Sequence, residues 1–345
     1  MATQSDQRAI DVHSAVRSAQ KMEHLYFFDE EQVQAALHYS DLIPAIATAL
    51  MEFSAGRVEQ PPRTILRLDT NQSIGWFACM PAVYQDVMGA KLVTFFPGNA
   101  QSGEKNGSAA GHALPTHMAT IQLFSPTTGQ PLAVLDGRCI TEMRTAAVSA
   151  VALQLLAAPE ARVLAILGSG VQARAHLEAL CLVRQFAEVR IASRTLEGAQ
   201  AFVDAVMQES GNCFAGIDMR AVTTEQAVRG ADVIVTATSA SQPVLRGAWL
   251  EPHALVLAIG AVAHDRRELD EEAMQRGAVL VESRETAMRE SGDILLSGAA
   301  IYAELGELLS STLPLPPEGI RVFKSLGLAV ADLAAARLVY FSAKG

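Results

Sequence analysis

The sequence predicts an α/β protein in two parts: a doubly wound parallel sheet, and ahead of it a smaller α+β region. Three observations carry this. From residue 163 onward, short apolar runs at 163–167, 188–193, 232–238, 254–260 and 278–282 alternate with stretches of helical length, the pattern of βαβ units. Before them, β patterns at 64–68, 75–80, 91–96, 118–124 and 131–135 follow one another without long helices between them, as a mostly antiparallel sheet requires. The third observation is the stretch Arg162-Val-Leu-Ala-Ile-Leu-Gly-Ser-Gly-Val-Gln-Ala173, where an apolar run passes through a glycine turn into a helix.

That stretch organises the chain. Residues 163–167 are unbroken apolar, as in a strand buried on both faces. Gly168 permits the tight turn, Gly170 lets the backbone approach a pyrophosphate, and Ala173 stands at the third small position of G-x-G-x-x-G/A. The following helix, 171–182, has Val171, Ala175, Leu177 and Leu182 roughly at helical spacing. Its N-terminus offers free N–H groups and partial positive charge to phosphates. The glycine pattern alone is a weak signal; the strand before it and the helix after it make it a Rossmann-type dinucleotide site. Gly168, Ser169, Gly170, Val171 and Gln172 are its first cofactor-binding residues. The second strand, 188–193, lacks the acid that binds the ribose 2′-hydroxyl of NAD about twenty residues on. It ends in Ser193-Arg194-Thr195 instead. Hydroxyls and a guanidinium suit a 2′-phosphate, so the expected cofactor is NADPH, with NADH possible. The plainer alternative makes Arg194 a solvated loop residue.

The chain has 345 residues, 50% of them hydrophobic, and a net charge of −10. The length allows about two domains and a large core. The acidic balance argues against a general nucleic-acid or anionic-membrane partner. Cys79, Cys139, Cys181 and Cys213 are dispersed without metal-type spacing and read as reduced, cytosolic thiols. No metal site is expected. Residues 1–23 are polar, lack a signal-peptide core and read as a loose tail or short extra helix. No continuous apolar run reaches the ~18 residues of a membrane span.

Taken in order, Asp29 caps a first helix running to Leu37. A second follows at 41–53, with Pro44 in its first turn where a missing N–H costs little. The antiparallel strands come next, interrupted by a Gly/Ser/Asn/Ala-rich loop at 97–111. An alanine-rich helix at 141–156 leads into the central strand, and a final one at 329–341 follows Val322-Phe-Lys-Ser-Leu-Gly327. That last helix is expected to return to the first domain. The expected division is 1–142 with 320–345, and 143–319.

The chain resembles the ornithine cyclodeaminase/mu-crystallin family along nearly all of its length beyond the tail. The resemblance is carried by Gln60-Pro-Pro-Arg-Thr64, Lys91-Leu-Val-Thr-Phe95, Pro115-Thr-His117, Leu135-Asp-Gly137, Arg144-Thr-Ala-Ala-Val-Ser149, Leu167-Gly-Ser-Gly-Val-Gln-Ala173, Arg267-Glu-Leu-Asp270, Glu290-Ser-Gly-Asp293 and Val322-Phe-Lys-Ser-Leu-Gly327. Glu290–Gly298 and Ala303-Glu-Leu-Gly-Glu307 look closest to the mu-crystallin branch. The resemblance implies a homodimer, with substrate binding and dimerisation in the first domain and cofactor binding in the middle one. It implies that Arg63, Lys91 and Arg144 surround a substrate α-carboxylate, where the plainer reading of each is a surface cation. Thr238, Ser325 and Gly327 complete the expected cofactor set.

The resemblance also separates branches. Cyclodeaminases carry a catalytic aspartate six residues before the Glu of the Glu-Leu-Asp motif; here that position is Val262, which cannot move a proton. The expectation is therefore an NADPH-dependent imino-acid reductase of the cytoplasm, acting on cyclic ketimines such as 1-pyrroline-2-carboxylate or 1-piperideine-2-carboxylate to give proline or pipecolate. Lys91 or His117 could supply or stabilise the imine proton, and Asp265 could orient water; a satisfied structural role is an equal reading of His117. The alternatives are an ornithine cyclodeaminase and a non-catalytic NADPH- or small-molecule-binding protein of the mu-crystallin type.

Overall fold

The computed structural model describes residues 25–70, 74–101, 114–209 and 214–344; the predicted 1–23 tail, most of the 97–111 loop and Cys213 lie outside them. The chain opens with β1 (Tyr26–Phe28), α1 (Glu30–Ala36) and α2 (Tyr39–Ser54). Asp29 caps α1, its side chain accepting from Gln32 N while the Gln32 side chain returns to the Asp29 backbone, a reciprocal capping box. Strands β2 (Thr64–Asp69), β3 (Ile74–Tyr84), β4 (Val87–Phe95), β5 (His117–Phe124) and β6 (Pro131–Asp136) follow. With β1 they form a six-stranded sheet, ordered β1-β6-β5-β4-β3-β2, antiparallel except where β1 meets β6.

Next comes α3 (Gly137–Leu156), begun four residues earlier than the sequence pattern suggests because the Asp136 carboxylate accepts from Cys139 N at 2.9 Å. By length and composition α3 could cross a membrane, but 72% of its most apolar window is buried in the fold. It is a core helix. The parallel part is β7 (Val163–Leu167), α4 (Val171–Val183), β8 (Glu188–Ala192), α5 (Leu196–Glu209), β9 (Asp218–Ala221), α6 (Thr224–Val228), β10 (Val233–Thr236), β11 (Leu255–Ala258), α7 (Glu271–Arg276) and β12 (Ala278–Val281). After α8 (Arg284–Glu290), α9 (Gly292–Ser297), β13 (Ile301–Glu304) and α10 (Leu305–Leu309), β14 (Arg321–Lys324) leads into α11 (Ala329–Ser342). The eight-stranded order is β13-β12-β14-β11-β10-β7-β8-β9, parallel throughout. From β7 the chain winds outward through β8 and β9, then returns to β10 on the other side. That reversal is a topological switch point, where doubly wound sheets bind ligands.

Two predicted boundaries move. β14 lies between β11 and β12 in the parallel sheet, with Val322 and Phe323 fully buried, so the return to the first sheet comes after Lys324 and not at 320. The 142/143 boundary falls inside the continuous α3. The closing helix does return: α11 packs on α2, α3, β3 and β4, and its Leu333, Ala335, Ala336 and Val339 are fully buried.

Candidate active site

The glycine turn lies after β7, at the switch point. Gly168 has φ +131°, and a Cβ there would stand 2.4 Å from the Ala237 carbonyl oxygen. Both conformation and space demand glycine. Gly170 differs. It is the N-cap of α4 in extended conformation, and a Cβ there would meet nothing within 4 Å. Packing gives no reason for glycine at 170; close approach of a ligand does. No side chain caps α4, which leaves its first N–H groups to a phosphate. Ser169 and Val171 are exposed beside them, and Ala173 is buried. The Gln172 carbonyl accepts from His176 Nδ1 at 2.7 Å, which leaves Nε2 to accept from Ser149 Oγ at 2.9 Å. Burial pulls the His176 pKa down to about 4, so this neutral imidazole ties α4 to α3.

After β8, Ser193 Oγ donates to the Thr195 carbonyl at 2.8 Å, and Thr195 Oγ1 accepts from Gly198 N at 3.1 Å. Both hydroxyls shape the loop. Arg194 is exposed, with no recorded partner among the described residues, and its guanidinium is free for a phosphate. Thr238 is placed differently from expectation: its hydroxyl donates to Glu268 Oε1 at 2.7 Å and accepts from Ala240 N at 3.2 Å. These bonds make it a support for the chain just after β10.

The cations gather where β14 ends. Lys91, in β4, and Arg144, in α3, are each about nineteen-twentieths buried. They share one acid that sequence reasoning missed. Asp332, in the first turn of α11 and fully buried, holds Lys91 Nζ at 2.8 Å through Oδ2 and Arg144 Nε at 3.0 Å through Oδ1. Its only signal in the sequence is a lone acid in an apolar helix. Thr141 Oγ1 lies 3.4 Å from Lys91 Nζ. Arg144 Nη1 is buried without a partner among the described residues, an unmet donor that invites a ligand. Gly327, at φ +79°, lets the backbone close on Arg144; a Cβ there would stand 2.7 Å from Nη2. Gly327, expected at the cofactor, thus sits directly on the Arg144 guanidinium. Ser325 is buried, its N–H donating to the Ala258 carbonyl. Burial lowers the Lys91 pKa to about 8; Asp332 resists this, while Arg144 and Arg63 add to it.

Arg63, just before β2, is a staple. Its Nη2 donates at 2.9 Å to the Leu326 and Gly327 carbonyls, and its Nε pairs with Glu290 at 3.1 Å. The N–H groups of Leu326 and Gly327 in turn donate to Glu282 Oε2 at 2.7 Å. Gln60 accepts from Val330 N at 2.8 Å, fastening the start of α11. His117 opens β5 with an exposed edge and its ring 4.5 Å from that of Phe95. Desolvation, and next the charge of Lys91, lowers its pKa. Asp265 is in an exposed turn, apart from the ion pairs joining Lys91, Arg144 and Asp332. Its expected role at the substrate gains no support.

The remaining motifs form a buried frame. Glu268 accepts from Thr236 Oγ1, from the N–H and hydroxyl of Thr238, and from Gly260 N and Ala261 N, at 2.7–3.2 Å. It thereby binds together the C-terminal ends of β10 and β11, and Val262 follows directly, 43% exposed. Asp293 Oδ1 accepts from the N–H groups of Glu268 and Leu269, and Oδ2 pairs with Lys324 at 3.0 Å, both side chains fully buried. Breaking such a pair one-sidedly costs about 3–5 kcal/mol.

These features have relatives. Residues 24–345 match the model of the ornithine cyclodeaminase/mu-crystallin family. The ketimine reductase mu-crystallin of Mus musculus is 44% identical over 322 residues, 92% of this chain and 96% of that one. A Delta(1)-pyrroline-2-carboxylate reductase of Bacillus cereus is 35% identical over 319 residues, covering 88% and 92%. Among solved structures, Thermococcus litoralis Delta(1)-pyrroline-2-carboxylate reductase in complex with NADH and L-proline superposes with a TM-score of 0.83 at 30% identity, over 92% of this chain and 97% of that one. An archaeal alanine dehydrogenase dimer with bound NAD gives 0.82 at 30%, over 93% and 96%. The chain belongs to the ornithine cyclodeaminase/mu-crystallin family.

Proposed function

We propose that this protein is an NADPH-dependent reductase of cyclic imino acids, converting ketimines such as 1-pyrroline-2-carboxylate or 1-piperideine-2-carboxylate to proline or pipecolate. One observation carries the reading. Two buried cations share Asp332, and one of them, Arg144, whose Nη1 has no partner among the described residues, stands against Gly327 just beyond the carboxyl end of a strand of the parallel sheet. A carboxylate held there lies at the edge where such sheets bind dinucleotides. The relatives named as ketimine and pyrroline-2-carboxylate reductases support the same chemistry.

The glycine turn and the bare N-terminus of α4 fit a pyrophosphate, and Arg194 fits the 2′-phosphate that distinguishes NADPH from NADH. What a bound nicotinamide supplies is a hydride to the imine carbon. The chain's own residues do the rest. Arg144 and Lys91 take the carboxylate, which fixes the ring. Lys91, held at about 8, carries a proton at neutral pH that it can share with an imine nitrogen. His117, kept below its ordinary pKa, is neutral at that pH and serves to pack and orient. Val262 offers no proton-transfer group for the deamination of ornithine.

The α+β part with α11 binds substrate in this reading, and the parallel sheet binds cofactor. The protein works as a homodimer in the cytoplasm. The dimer is supported by β2, an edge strand exposed along its whole length with Leu66 at 61% and Ile65 at 47%, since such apolar edges are covered in use. The compartment is supported by free Cys79, Cys139 and Cys181. The deciding experiment follows NADPH loss with each ketimine, and ammonia release from ornithine with NAD. Turnover of ketimine alone is expected. Ammonia release would favour a cyclodeaminase, and silence in both assays a binding protein.

A further inference from the structure

The acid between the two substrate cations has no part in the reading so far. Asp332 is fully buried, and each of its oxygens takes one cation. Two cations this deeply buried and this close would repel if left alone. The choice of nitrogen on Arg144 matters more. Asp332 takes Nε, which leaves the terminal nitrogens to other uses: Nη1 has no partner among the described residues, and Nη2 lies against Gly327. The fork is the part of a guanidinium that meets a carboxylate with two parallel hydrogen bonds. We propose that Asp332 is a positioning residue for the substrate, fixing the Lys91 ammonium and the Arg144 guanidinium in the register at which both meet one carboxylate. This rests on the reading that the pair binds a carboxylate.

Around Lys91 stand Asp332 from α11, Arg144 from α3, Arg63 from the segment before β2 and His117 from β5. Asp332 alone among them is negative. Without it, Lys91 would face cations, an imidazole and the Thr141 hydroxyl, with no negative charge among them, and would shed its proton at lower pH. A structural role alone would change the melting temperature and leave the pH dependence of binding where it is.

The test uses pyrrole-2-carboxylate, a planar five-membered ring acid that cannot accept a hydride, titrated calorimetrically into the NADP⁺-loaded protein across neutral and alkaline pH. Asp332→Asn should weaken its binding about ten- to hundredfold, shift the fall in affinity to lower pH, and leave NADPH affinity unchanged. Wild-type affinity and an unmoved pH profile in Asp332→Asn would overturn the proposal. If that variant does not fold, Lys91→Met is compared with the double variant Lys91→Met and Asp332→Asn, which buries no unpaired ammonium. A further loss in the double variant is expected, because Arg144 loses its register; equal affinity would overturn the proposal. A wild type that binds the probe with the expected pH profile yet reduces no ketimine would sink the reductase reading and leave the role of Asp332 standing. A wild type that does not bind the probe would overturn both.

Discussion

The glycine turn and the cation cluster are built by opposite means. The turn uses backbone: Gly170 leaves open space and α4 keeps uncapped N–H groups. The cluster uses buried side-chain charge, held in place by acids: Asp332 behind Lys91 and Arg144, and Glu290 on Arg63, with Glu282 gripping the turn that Arg63 staples. The difference teaches where each site is vulnerable. In the proposed reading, the turn should lose function when an atom is added, and the cluster when a charge is removed.

Arg144→Met carries the largest expected effect. Losing one charge-assisted partner costs about 1.5–3 kcal/mol, or roughly one to two decades in kcat/KM for a ketimine. NADPH affinity should stay as it is. Unchanged kinetics would remove Arg144 from the substrate site.

The two glycines of the turn sharpen the contrast. Gly168→Ala forces a side chain onto the Ala237 carbonyl at a left-handed φ and should lower stability by about 1–3 kcal/mol. Gly170→Ala meets nothing in the protein, so Tm should hold while NADPH binding weakens about tenfold, read by thermal melting and cofactor titration. Equal losses of Tm would show that position 170 is glycine for packing. Arg194→Asp, in the loop after β8, should weaken NADPH by about a decade and spare NADH. A wild type that binds both cofactors equally would contradict that assignment.

The smallest effect is a pH dependence. Lys91 is charged below about 8 and neutral above it, so KM for the carboxylate should rise, by at most about tenfold per pH unit, as pH climbs through 8. Stability runs the other way. The unfolded lysine keeps its proton up to its ordinary 10.5 while the folded one releases it near 8. Between those values the unfolded state binds more protons, and this group's contribution to stability rises with pH. A KM flat across that window would detach Lys91 from the substrate.

The same contrast explains what could be read in the sequence. The glycine turn is local: strand, turn and helix lie within Val163–Val183, and their pattern is visible in one window. The cluster is not. Arg144 and Asp332 are 188 residues apart, and only the resemblance brought Arg63, Lys91 and Arg144 together. Asp332 and Glu282 left no pattern beyond one acid each at an apolar element. The strands β9 and β13 escaped notice because each has four residues, a charge among them and no apolar run. The place of β14 is not legible locally, because the long stretch before it breaks the strand–helix alternation and its pairing with β11 and β12 depends on distant residues.

We propose that this site reduces a preformed cyclic imine and does not deaminate ornithine, because Val262 stands where the resemblance places a cyclodeaminase's proton-transfer aspartate. Purified protein incubated with NADPH and 1-pyrroline-2-carboxylate or 1-piperideine-2-carboxylate should consume NADPH and form proline or pipecolate. With NAD and ornithine it should release almost no ammonia, since a missing general base costs about 10²–10⁴-fold. Brisk ammonia release from ornithine by the wild-type protein would contradict the account.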